Sequence, residues 1–183
     1  KRSGRHRYTF PKSSKSRIII NLEEGNGLDI PTETFLEKIN DTIFPGYRFS
    51  KGWANDQKEF FSMIISKPVD KFFIVNQDSV YDESKKTGKG VIGFLEFSTE
   101  DNEQVFAKVG ISAVSIKNAH ENLMHEIKSW DFEKIKLSAE KAWNHELSKV
   151  EIKTEDNSKK KVFYTAMYHS MITPNLYHDI NGD

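Results

Sequence analysis

Two stretches carry residue types at spacings that invite a chemical reading. Gly88-Lys89-Gly90-Val91-Ile92-Gly93 matches the GxGxxG pattern letter for letter. That pattern cradles phosphate only between a strand and the N-terminus of a helix, where backbone N–H groups meet a pyrophosphate. Here the glycines run into the apolar stretch Val91 to Phe97, so a turn followed by a glycine-tolerant strand is expected. His120-Glu121 with His125 has the composition of a zinc-protease helix. That chemistry needs histidines four apart on one face; five apart, they diverge by about 140° on a helix of 3.6 residues per turn. Asp78, Asp82 and Glu83 lack the spacing and glycine of a calcium loop and read as a solvated turn. The sequon Asn40-Asp41-Thr42 decides nothing about chemistry. With no cysteine there is no thiolate nucleophile and no disulfide framework. Serine-hydrolase, Walker and calcium-hand patterns are also missing.

The composition narrows the field further. In 183 residues, 27 basic side chains balance 27 acidic ones. The chain thus lacks the cationic excess on which bulk nucleic-acid binding rests, so no nucleic-acid partner is expected. Its uninterrupted apolar runs, such as Ile18 to Ile20 and Met63 to Ile65, fall far short of the roughly 20 residues of a membrane-spanning helix. The basic Lys1 to Arg7 leads straight into Tyr8, Phe10 and Pro11, without the apolar core of a signal peptide.

The elements that must position any site fall into two classes. Runs rich in Ile, Val and Phe at Arg5–Phe10, Arg17–Leu22, Lys58–Ser66, Lys71–Asn76, Val91–Phe97 and Gln104–Ser112 predict strands of an antiparallel sandwich. Glu24 to Gly27, Pro45-Gly46 and Lys67-Pro68 punctuate them. Pro31 to Ile39 combines capping-box spacing at Thr34 and Glu37 with strand alternation at Phe35, Glu37 and Ile39, and is assigned to a strand. After Ser112 the period lengthens. Ile116, Ala119, Leu123 and Ile127 share a helical face behind Ser115 as cap. A second helix follows Asp131 with a stripe from Phe132 to Leu147, and a third covers about Ser158 to Ile172 before Thr173-Pro174-Asn175.

Five segments in order carry a resemblance: Gly4 to Pro11; Gly46 to Ser50 with Gly52 to Gln57; Val109 to Ser115 with Asn118-Ala119; Ala142 to Leu147; and Phe163 to Ser170, continuing through Thr173-Pro174-Asn175 into Asp179-Ile180-Asn181-Gly182. Together they resemble the calcium-dependent, exo-acting α-mannosidases of glycoside hydrolase family 92, whose members are much longer. The resemblance implies a mixed, mainly β fold: the latter part of an N-terminal antiparallel β-sandwich over 1–113, a helical linker over 114–130, and the first helices of an (α/α)6 barrel over 131–183. A barrel begun but not closed would leave Val162, Phe163, Ala166 and Met167 partly uncovered, and self-association through that face is expected.

By the same resemblance the parent enzyme removes terminal α-linked mannose from glycans with inversion. Its catalytic acid and base and its Ca2+ ligands lie downstream of this chain, so no catalytic and no metal-binding residue is assigned here, and the chain alone is expected to be inactive. Two carboxyl groups roughly 6.5–9.5 Å apart would do that chemistry. Export to the periplasm, the cell surface or the extracellular space is implied too. The family's Asp-x-Asp-Gly turn maps onto Asp179 and Asn181, the substrate-binding residues that the resemblance implies. The amide at Asn181 departs from the pattern, and both residues also suit a plain turn. Trp53, after Gly52 at a strand end, is the third substrate-binding candidate, since an aromatic face can stack on a pyranose. The alternative is a non-catalytic carbohydrate- or protein-binding sandwich module.

Overall fold

Alternation of apolar and polar residues lays down two antiparallel sheets whose apolar faces meet. The structure, a computed structural model, describes residues 2–25, 27–172 and 177–183. Among these the strands are β1 (Ser3–Phe10), β2 (Ser13–Asn21), β3 (Ile30–Glu37), β4 (Ile43–Lys51), β5 (Gln57–Ile65), β6 (Lys71–Asn76), β7 (Ser79–Tyr81), β8 (Lys85–Gly88), β9 (Ile92–Thr99) and β10 (Glu103–Ser112). One sheet has the order β1-β10-β5-β4-β3-β8, the other β2-β9-β6-β7. The mainly β class and its sandwich are therefore as expected. Leu36, Phe44, Ile65, Val105 and Ala107 of the first sheet interdigitate with Ile18, Phe72, Ile74, Leu95 and Phe97 of the second.

The long strands at one side of the sandwich, β1 and β2, are edges of different sheets. Between them runs an open apolar cleft of about 230 Å³, floored by Ile18, Ile20, Phe61 and Val109 and rimmed by Tyr8 and Ile19.

One sequence expectation changes. Pro45-Gly46, read as a break, lies inside β4. Pro45 falls just past the last position at which β4 pairs with β3, so its missing N–H breaks no pairing with that strand. At Gly46 a Cβ would stand 2.3 Å from the Phe35 carbonyl oxygen and 2.7 Å from the Phe61 ring, so only glycine lets the strand pass. The strand assigned over Pro31 to Ile39 is β3, and inside it the Thr34 hydroxyl donates to Gly88 O and accepts from Val91 N. The strands β7 and β8 were not foreseen. A hairpin with positive φ at Gln77 and Asp78 generates β7. The GxGxxG stretch runs from the end of β8 into β9, with no helix after it.

Helix α1 (Ile116–Glu126) follows the cap Ser115, whose side chain accepts from Asn118 N. It lies on the outer face of β10 and β5. Along β10 the inward positions are Val105, Ala107 and Val109, while Lys108, Gly110 and Ser112 face the other way and are buried. The contact with α1 is close, because a Cβ on Gly110 would lie 2.2 Å from Ala119 O and 2.7 Å from Leu123 Cβ. Lys108 donates to Ile127 O at the helix end, and burial pushes its ammonium pKa down.

By contact density the chain divides into two units, residues 1–130 with 178–183, and residues 131–177. The expected boundary at 113/114 thus falls within a unit to which α1 and the last six residues both belong. The second unit holds α2 (Phe132–Leu147), capped by Asp131, and α3 (Asn157–Ile172). Trp143 meets Tyr168 edge-on at 4.5 Å, and the Tyr164 hydroxyl donates to Val150 O. Neither helix has a buried residue: Val162 and Ala166 are exposed, Phe163 and Met167 half-buried. The Thr173-Pro174-Asn175 stop lies outside the described residues.

Candidate functional site: a clamped turn at residues 178–183

The segment His178–Asp183 closes on itself. Asp179 N donates to Asp183 O at 2.8 Å and Gly182 N to Asp179 O at 3.0 Å, with Gly182 at φ +94°. Such a φ favours glycine, which is why the Asn-Gly pair ends the turn. The Asn181 side chain is exposed and donates to Asp183 Oδ2 at 2.8 Å.

Asp179 points the other way. It is 4% exposed, and its carboxylate accepts from Ser112 Oγ at 2.6 Å, Asn122 Nδ2 at 2.7 Å and Asn118 Nδ2 at 2.8 Å. Burial alone would push its pKa up, but these three hydrogen bonds and the positive charge of Arg2 outweigh it and hold the carboxyl below its ordinary value. Arg2 itself grips Glu126 through two guanidinium nitrogens and donates to His178 O at 2.8 Å. The last residues are thus fixed to the end of β10, to α1 and to the start of β1.

The candidate site residues occupy different environments. Asp179 and Asn181 share the turn, one facing inward and one outward. Trp53 is fully exposed at the tip between β4 and β5, where Gly52 N donates to Ala54 O. Sequence reading missed Ser112, Asn118 and Asn122. Their signal was available: two amides four apart in α1, beside Ala119 and Leu123 and so next to the face that packs. His120 and His125 do not converge. His120 Nδ1 lies 3.0 Å from Ser62 Oγ, and His125 is exposed.

Among the described residues no group of three His, Asp or Glu side chains could hold a metal ion, and the Asp179 oxygens are taken by neutral donors. These residues do not fit calcium.

Comparisons with known proteins agree along the whole chain. A secreted glycosidase of unassigned character from Arthroderma benhamiae is 28% identical over 182 residues, covering 91% of this chain and 22% of its own length. An α-mannosidase of family GH92 from Bacteroides thetaiotaomicron is 29% identical, with a TM-score of 0.92 over 98% of this chain and 25% of its own. An inverting mannosidase of the same family from Bacteroides thetaiotaomicron VPI-5482 shares the fold, with 19% identity and a TM-score of 0.85 over 100% of this chain. The chain therefore spans about a quarter of the length of these relatives. The glycosyl hydrolase family 92 N-terminal domain matches residues 1–112 and the family's catalytic domain residues 118–183. On these matches the chain belongs to glycosyl hydrolase family 92, running from its N-terminal domain into its catalytic domain.

Proposed function

We propose that the polypeptide to which this chain belongs is an exo-acting α-mannosidase that removes terminal mannose from glycans. The observation that carries this reading is the likeness to the GH92 α-mannosidase, 29% identical over nearly the whole chain, together with family membership in both domains. We further propose that the reaction inverts, through an acid and a base supplied outside these residues, and that calcium is held there too. An exported location is supported by the name of the secreted Arthroderma relative. In this reading the turn at 179–183 faces the sugar, and Trp53 offers its exposed ring for stacking on a pyranose.

The test is mannose release from α-mannobioses of the common linkages. The full-length parent should release mannose, excess EDTA should abolish release, and the 183-residue chain should show none. Trp53→Ala in the parent should raise KM roughly three- to tenfold, as expected for an aromatic contact of about 0.5–1.5 kcal/mol. A folded, calcium-loaded parent that releases nothing would instead favour a binding module.

The exposed apolar residues of α3 support a second, smaller proposal: the isolated chain self-associates through that helix. Sedimentation velocity at rising concentration should show growing species, and a monomer throughout would refute it.

A further inference from the structure

The direction of every hydrogen bond around Asp179 is determined by its neighbours. Ser112 Oγ accepts from Val114 N at 2.9 Å and from Ser115 N at 3.3 Å, so its one proton is left for Asp179. Asn122 Oδ1 accepts from Ile180 N at 2.9 Å, which orients the amide so that Nδ2 donates both to Ile111 O and to Asp179 Oδ1. Asn118 Nδ2 bridges Asp179 Oδ2 at 2.8 Å and Asp183 Oδ2 at 3.0 Å. One donor from each of the three side chains converges on this one carboxylate, and Asn118 and Asn122 also bond the turn that follows it. A core needs no such network for stability, since apolar side chains fill space at less cost; a satisfied polar network specifies a single arrangement.

We propose that Ser112, Asn118 and Asn122 are positioning residues of the sugar site: by clamping the buried Asp179 they hold the 180–183 turn in one register and direct its exposed Asn181 and Asp183 side chains to the substrate. This rests on the mannosidase reading above. The residues that touch sugar are on the turn, whereas the trio acts through Asp179. A displacement of about 1 Å at such a turn is enough to cost up to a hundredfold in rate.

The experiment uses the full-length parent with three variants. Asn122→Ala should lower kcat/KM on α-mannobiose about 10- to 100-fold and speed hydrogen exchange of the 179–183 amides. Leu95→Ala, in the sandwich core and away from the turn, serves as the control for stability loss and should leave kcat/KM within about twofold at a temperature where the protein is folded. Asn118→Ala removes the amide that donates to both Asp179 and Asp183 and should lower kcat/KM in the same direction as Asn122→Ala. Equal activity losses in Asn122→Ala and Leu95→Ala, or unchanged activity in Asn118→Ala, would overturn the positioning role. A wild-type parent that releases no mannose sinks the mannosidase reading. Unchanged exchange of the 179–183 amides in Asn122→Ala separately sinks the clamp.

Discussion

Gly110→Val is expected to destabilise the sandwich unit by about 3 kcal/mol or more, above the usual cost of overpacking. The added Cβ would stand 2.2 Å from Ala119 O, 2.7 Å from Leu123 Cβ and 3.0 Å from Leu123 N. Two of these are backbone atoms of α1, so no rotamer change can make room and the helix must lift from β10. Lifting it also breaks Lys108 to Ile127 O, Asn122 to Ile111 O and the Ser62–His120 pair. Thermal unfolding of the chain should show a midpoint lower by roughly 10 °C. Gly4→Ala, where a Cβ would meet nothing within 4 Å, is the control. Equal midpoints for the two variants would show that α1 is not seated on Gly110.

The second large effect concerns Asp179. Asp179→Ala removes the acceptor for three buried donors and should cost about 2–3 kcal/mol at neutral pH, the range for stranding buried hydrogen-bonding groups. The pH dependence has a definite sign. The folded pKa lies below the ordinary 3.8, so the contribution is fully present above that value and is lost as the pH falls through the lower, folded one. The gap between wild type and Asp179→Ala should stay constant from neutrality down to about pH 5 and close at more acid pH. Asp29, held low by hydrogen bonds from Ser50 and Arg48 that overcome its desolvation, acts in the same direction in both proteins and cancels from the difference. Denaturant titrations at a series of pH values measure the gap, and a gap that widens in acid would refute the assignment.

Much of the fold was legible because its signals are local. The run Lys71–Asn76 became β6 with the same bounds, and Ser115 and Asp131 cap the helices that their side chains announce. The misses also have physical causes. Proline and glycine punctuate a chain only when their neighbours do not override them, and at Pro45-Gly46 strand pairing did so. The short β7 and β8 carry too few apolar residues to show a period. The clamp was hidden for a different reason. Asp179 meets its partners across 57 to 67 residues of sequence. A reading that follows apolar periodicity counts Asn118 and Asn122 as polar positions, although both are buried. The resemblance pointed to the Asp179 turn but not to what holds it.

The two flanks of the sandwich differ as templates for strand addition. On one flank the sheets end in strands of three and four residues, β7 and β8, with Lys85 and Lys86 on the latter. Short, cationic margins of that kind discourage further pairing. On the other flank the edge strands among the described residues are β1 and β2, eight and nine residues long, beside exposed Ile19. Any β-augmentation, by another stretch of the same polypeptide or by a second molecule, is therefore directed to the β1/β2 flank. The solubility of the sandwich in isolation depends on how that flank is covered.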